Sequence, residues 1–201
     1  MKLYDFRLSG NCYKVRLLLS HLGRPYQRVP VDIVHGENRR PEYLAKNPIG
    51  RVPLLEVEAG RLLAESPAIL FYLSEGTPFQ PTSTWERALM WQWMAFEQYE
   101  HEPAIAKARA WKTILHSTEG RDLHLRLREM EKLGYRALTV MESHLRDQDF
   151  FTGKDYGIAD IALYAYTHVA DEGGFDLGGF PSVREWLTRV KSQPRHITID
   201  E

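Results

Sequence analysis

Cysteine is almost absent: Cys12 is the one thiol in 201 residues. That excludes an intrachain disulfide and a zinc site built on thiolates. The eight histidines are scattered, with no His-x-x-x-His pair on a plausible helix, so no metal site is expected. Net charge is nearly absent too, at −1, which argues against a general nucleic-acid or anionic-membrane binder. No apolar run approaches membrane-spanning length, and Met1-Lys2-Leu3-Tyr4-Asp5 reads as a strand rather than a signal peptide. The expectation is a soluble, cytoplasmic protein. What charge there is divides unevenly, since residues 1–80 carry +3 and the remainder −4. A mildly basic first part suits a small anionic ligand.

A hydrophobic content of 43% in 201 residues is enough for two small cores. Lys2–Phe6 reads as a strand. Val15, Leu18, Leu19 and Leu22 form a helical stripe that stops at Gly23. Tyr26–Asp32 alternates as a second strand, and Pro41 opens a short helix to about Lys46. Pro53–Val57 and Arg61–Leu63 flank Glu58-Ala59-Gly60, a hairpin signal. Glu65 to Ser74 is helical, with Pro67 in its first turn. The order βαβαββα is a thioredoxin-like pattern. Gly76 to Ser83 reads as a linker, and strand signals then disappear.

Thr84 or Trp85 begins an aromatic-rich helix that Pro103 should bend or interrupt. Three further helices are expected over Gly120–Leu145, Ile158–Val169 and Ser182–Val190. The fold class is therefore α/β followed by all-α: a thioredoxin-like domain at 1–76, a linker at 77–83 and a helical domain at 84–201.

Three motifs carry the chemistry. They are Ser9-Gly10-Asn11-Cys12-Tyr13-Lys14-Val15, then Asn47-Pro48-Ile49-Gly50-Arg51-Val52-Pro53, then Ala64-Glu65-Ser66-Pro67. In this order and spacing they resemble the glutathione-binding half of a cytosolic glutathione S-transferase of the bacterial serine type, with theta, delta and zeta likenesses. The likeness covers essentially the whole chain. Phe180 to Leu187 is similar to the family's last helix, and Tyr156 to Ile161 to its capping box. There Gly157 replaces the usual hydroxyl residue, so only Asp160's return bond is left, with Tyr156 and Ile161 as a hydrophobic staple. Asp160 is read as structural.

The resemblance implies that glutathione is the co-substrate, without a metal. Ser9, where a strand meets a helix, is placed to donate to the glutathione sulfur; as a plain N-cap it needs no ligand. A free thiol has a pKa of about 8.5, and lowering it by about two units requires roughly 2.7 kcal/mol. One hydrogen bond to a charged group supplies about 1.5–3 kcal/mol and a helix N-terminus about 0.3–1 kcal/mol, which suffices. Asn11 stands where the beta and zeta classes carry their reactive cysteine, which counts against cysteine-based thiol exchange. Its amide is the second catalytic candidate, while Cys12 reads as a small inward-facing residue.

Val52 is implied to pair its backbone with the cysteinyl part of glutathione through a cis Val52–Pro53 unit. Arg51 is placed either to reach a ligand carboxylate or simply at the surface. Glu65 is implied to meet the γ-glutamyl ammonium, with Ser66 on the adjoining carboxylate. Asn38 stands where several classes of the family have a histidine near the glycyl carboxylate. For the acceptor pocket the candidates are Tyr99, Trp111 and Arg109, the last of which has the alternative of pairing with an acid. Trp91 and Trp93 read as core or dimer surface.

Three functions remain in view. The first is a homodimeric transferase, serving detoxification, that joins glutathione to a hydrophobic electrophile, without nucleic-acid or membrane partners. The second is a glutathione-dependent peroxidase or disulfide reductase, and the third a non-catalytic interaction protein on the same fold.

Overall fold

The computed structural model describes residues 1–114 and 121–201, with side chains in the second segment from residue 123 onward. Its Cα atoms cluster into two compact units. One is Met1–Glu75 together with Pro194–Glu201, and the other is Gly76–Gln193.

The first unit runs β1 (Lys2–Asp5), α1 (Gly10–Leu22), β2 (Gln27–Pro30), α2 (Pro41–Leu44), β3 (Leu54–Glu58), β4 (Arg61–Ala64) and α3 (Ser66–Ser74). The sheet order is β2-β1-β3-β4. β1 pairs parallel with β2, Tyr4 opposite Val29, and antiparallel with β3, Tyr4 opposite Leu54. This is the thioredoxin-like arrangement the order of elements predicts. β2 is shorter than the alternation suggests; it is the edge strand, where the missing N–H of Pro30 costs no ladder bond, and the Val31 N–H still reaches the Asp5 carbonyl at 2.8 Å. Gly23 ends α1 in the left-handed region at φ 60°, and its N–H and that of Arg24 reach back to the carbonyls of Ser20 and Leu19.

α1 is buried on nearly every side, charged residues included, rather than along one stripe. Arg16, with no exposed surface, bonds the Asp5 carboxylate at 2.6 Å and the carbonyls of Arg7 and Ile199 at 2.8 and 2.7 Å. Arg28 engages the other Asp5 oxygen. The last eight residues thus close over α1: Tyr13 donates to the Ile197 carbonyl at 2.7 Å and Ser20 to that of Arg195 at 2.8 Å.

The second unit is helical: α4 (Thr84–Phe96), α5 (Glu102–Arg109), α6 (Arg121–Leu145), α7 (Ile158–Thr167) and α8 (Pro181–Lys191). Gly120, the start expected for α6, lies outside the described residues. Ser83 caps α4 through the Glu86 N–H. The helix does not stop before Pro103. It widens into a π-type turn over Glu97–His101 and resumes as α5 with the proline in its first turn, where no N–H is needed.

Asp160 accepts from the backbone of Gly157 at 3.1 Å and Phe151 at 3.0 Å, and from the Trp186 indole at 2.9 Å. One carboxylate therefore caps α7, anchors the preceding turn and holds the core tryptophan of α8. Gly157 stands in the cap because the Phe79 carbonyl lies 3.0 Å from where a Cβ would sit. Tyr156 packs against the rings of Phe79 and Phe150. No helix among the described residues is long and apolar enough to cross a membrane.

Candidate functional site

Two helix N-termini of the first unit meet. Ser9 sits at φ −75°, ψ 120° as the N-cap of α1, half-buried, its oxygen accepting the Cys12 N–H at 3.3 Å. Its hydroxyl hydrogen is not consumed by that bond, so capping and donation to a ligand are compatible roles. Asn11 lies in the first turn of α1. Its Oδ1 accepts from the Lys14 ammonium at 2.7 Å and from the Ser66 hydroxyl, at the start of α3, at 3.2 Å. The Ser66–Asn11 bond ties the two helix heads, each a region of positive potential with N–H groups directed outward.

Glu65 precedes Ser66 at φ 69°, ψ 117°. A non-glycine residue held there stores about 1–3 kcal/mol, and such strain gathers at functional sites. Its side chain makes no capping bond and is exposed, while Ser66 is buried. The carboxylate of Glu65 and the head of α3 thus offer one group of each sign side by side.

The Val52–Pro53 bond is cis, as the resemblance implies. Val52 is half-buried and Arg51 exposed. The loop that leads to Val52 is held from below by residues to which sequence reasoning assigned no such role. Tyr43 donates to the Arg51 carbonyl at 2.6 Å and Asn47 to the same oxygen at 2.9 Å. Asn38 donates to the Gly50 carbonyl at 2.7 Å, so one of its two amide N–H groups shapes this loop. Gly50, at φ 65°, admits no side chain: a Cβ would stand 2.9 Å from the Asn38 carbonyl. A tyrosine and an asparagine four residues apart, just ahead of the Gly-x-x-Pro turn, were the available signal.

Cys12 has no exposed surface, and its sulfur accepts the Phe6 N–H at 3.4 Å. Burial, then the Asp5 charge, pushes its thiol well above the ordinary range, outweighing the N–H of Phe6 and the hydroxyl of Ser9. A thiol so placed is an inert core group.

The acceptor-pocket candidates lie in the helical unit. Tyr99 is 81% exposed on the π-type turn. Arg109 is buried and forms a 2.7 Å ion pair with Glu172, the second of the two roles open to it. Trp111 is half-buried in a second π-type turn over Ala110–Ile114. Trp93 belongs to the core, packed on Phe96, His144 and Phe151, whereas Trp91 is 42% exposed. Among the described residues no group of three His, Cys, Asp or Glu side chains is placed to hold a metal ion.

Comparison with known proteins agrees with the fold. A glutathione S-transferase from Pseudomonas fluorescens is 46% identical, with a TM-score of 0.96 over 100% of this chain and 98% of its own. Maleylacetoacetate isomerase of Pseudomonas aeruginosa is 33% identical, the match covering 96% of this chain and 92% of that protein. The disulfide-bond oxidoreductase YfcG of Escherichia coli is 28% identical over 94% of this chain and 89% of its own length. Residues 1–75 match the glutathione S-transferase N-terminal domain and residues 93–194 the C-terminal domain. With a thioredoxin-like unit followed by helices and both domain signatures in place, the chain belongs to the glutathione S-transferase family.

Proposed function

We propose that this protein is a glutathione transferase that activates the glutathione thiol and joins it to a hydrophobic electrophile. The observation that carries the reading is the Ser66–Asn11 hydrogen bond at 3.2 Å, which sets the thiol-activating and amino-acid-binding helix heads beside each other. Glutathione carries a thiol at its centre and an ammonium–carboxylate pair at one end. Ser9 and Asn11 receive the sulfur; Glu65 receives the ammonium and Ser66 the carboxylate. The backbone of Val52 pairs with the cysteinyl residue, with Arg51 and Asn38 nearest the glycyl end.

The thiol proton leaves to solvent because the hydroxyl of Ser9, the amide of Asn11 and the head of α1 favour the anion. The thiolate lone pair then forms the carbon–sulfur bond while the leaving group departs with its own electron pair. Catalysis is nucleophile activation and proximity. Tyr99 and Trp111 are the acceptor-side candidates; Arg109, paired with Glu172, stabilises its surroundings instead.

A second reading, glutathione-dependent disulfide reduction, is favoured by the likeness to the Escherichia coli oxidoreductase. Cys12 is sealed in the core, so glutathione itself would be the redox-active thiol. The isomerase relative points to a third use of the same thiolate: addition to a double bond, rotation and departure. Product analysis separates them. With glutathione and an aryl halide, a thioether supports the transferase. Oxidised glutathione formed from a small disulfide, with no thioether, supports the reductase. Geometric isomerisation of a cis-enone with no net loss of glutathione supports the isomerase.

A further inference from the structure

We infer that Lys14 is a positioning residue, fixing the Asn11 amide so that its nitrogen end is the one presented to the glutathione sulfur. The inference rests on the proposed role of Asn11 as a thiolate donor. Lys14 follows Asn11 by three residues on α1, so the two side chains share a face. It has no exposed surface, a costly place for an ammonium unless it is well paired. One of its partners is Asn11 Oδ1 at 2.7 Å.

The two ends of a primary amide have nearly the same shape and opposite chemistry, so neighbours decide which way it faces. Here two donors converge on one end: the Lys14 ammonium at 2.7 Å and the Ser66 hydroxyl at 3.2 Å. Together they occupy both lone pairs of Oδ1, which defines the opposite end as Nδ2, the donor. A reversed amide would aim an oxygen at the thiolate and set N–H groups against an ammonium. An apolar residue at 14 would remove the shorter of these two bonds to Oδ1.

Other charges surround the start of α1. Asp5 on β1 is locked to Arg16 and Arg28; Arg7 lies in the turn before α1; Glu65 stands at the head of α3; His196 lies beside Tyr13. A shift in thiol titration on substitution at 14 is therefore assigned to Asn11 only through the double variant, which separates an action through that amide from a direct effect of charge.

The test is an ultraviolet titration of glutathione thiolate on the whole chain, with S-methylglutathione affinity as the control for peptide binding. Lys14→Met should raise the bound-thiol midpoint by about one pH unit, a tenfold loss of thiolate below it. S-methylglutathione affinity should stay within about twofold, because the thioether carries no charge for the amide to meet. In an Asn11→Ala background the same change should move the midpoint by less than about 0.3 unit, since a residue acting through Asn11 has nothing left to orient. Equal shifts in both backgrounds would show a direct charge effect and overturn the inference. So would an unmoved midpoint, or a matching loss of S-methylglutathione affinity, which marks a packing role. Should Lys14→Met not fold, Lys14→Gln keeps a neutral donor for Asn11 Oδ1 while removing the charge. Its midpoint should stay within about 0.3 unit of wild type, and a rise of about one unit would show a direct charge effect and overturn the inference. A wild type that binds neither ligand overturns the transferase reading itself, and that arm needs no variant.

Discussion

Replacing Asp160 by alanine should destabilise the protein while leaving glutathione affinity nearly unchanged. Three buried N–H groups, from Phe151, Gly157 and Trp186, end on this carboxylate and would be left without it. Each orphaned donor costs about 1–3 kcal/mol, and removing one side of a buried polar network typically costs about 3–5 kcal/mol. At the usual scaling for a chain of this size, roughly 2–4 °C per kcal/mol, the midpoint of melting should fall by about 10 °C.

The effect also has a signed pH dependence. Burial raises the Asp160 carboxyl to about 7, against the opposing pull of its N–H donors. The folded state therefore holds this proton more tightly than the unfolded chain. The resulting stability is fully present below about pH 4 and is lost as pH climbs through about 7. At 1.36 kcal/mol per unit, a shift from 3.8 to about 7 is worth on the order of 4 kcal/mol at most. Urea unfolding of wild type and Asp160→Ala at pH 5 and pH 8 is the assay. The gap between them should be largest at pH 5 and narrow at pH 8. Equal stability at pH 5, or a gap that widens with pH, would refute the reasoning.

Other perturbations probe different parts of the fold. Arg16→Met leaves Asp5 buried with only Arg28, and should cost about 3–5 kcal/mol in denaturant unfolding; a loss under 1 kcal/mol would show that the network is dispensable. Gly134→Ala, which on an exposed helix gains about 1 kcal/mol, should here lose about 1–3 kcal/mol. Its Cβ would stand 2.3 Å from the ring of the buried Phe175, so a higher melting temperature would contradict that packing. Cys12→Ala should retain turnover to within about twofold and cost about 1 kcal/mol of stability. Loss of turnover in a folded variant would return this thiol to the chemistry.

Local signals carried much of the fold. Gly23 ends α1 where a left-handed residue is needed, Glu58-Ala59-Gly60 turns the β3–β4 hairpin, and Pro103 marks the first turn of α5, where the helix resumes after its π-type turn. Asp160 was legible because a return bond to a cap spans only three residues. Its bond to the Trp186 indole, 26 positions on, was not. The same limit applies to α1. The stripe of Val15, Leu18, Leu19 and Leu22 suggests one apolar face, yet Lys14 and Arg16 are fully buried. Arg16 is tolerated there because Ile199, 183 residues away, supplies a carbonyl that no periodicity reveals. Ser9, Asn11, Glu65 and Ser66, the residues of the proposed glutathione site, could be named from short motifs. The bonds of Tyr43 and Asn47 to the Arg51 carbonyl and of Lys14 to Asn11 could not, because no motif marks a side chain by the neighbour it bonds.

The account stands on glutathione being bound as its thiolate at the head of α1. The most direct measurement is a difference-absorbance titration of glutathione with the protein, following the thiolate band in wild type and Ser9→Ala. The account predicts a midpoint about two units below the free thiol's value of about 8.5, returning toward that value in Ser9→Ala. A bound thiol that titrates like free glutathione, or no thiolate signal at any glutathione concentration, would contradict it.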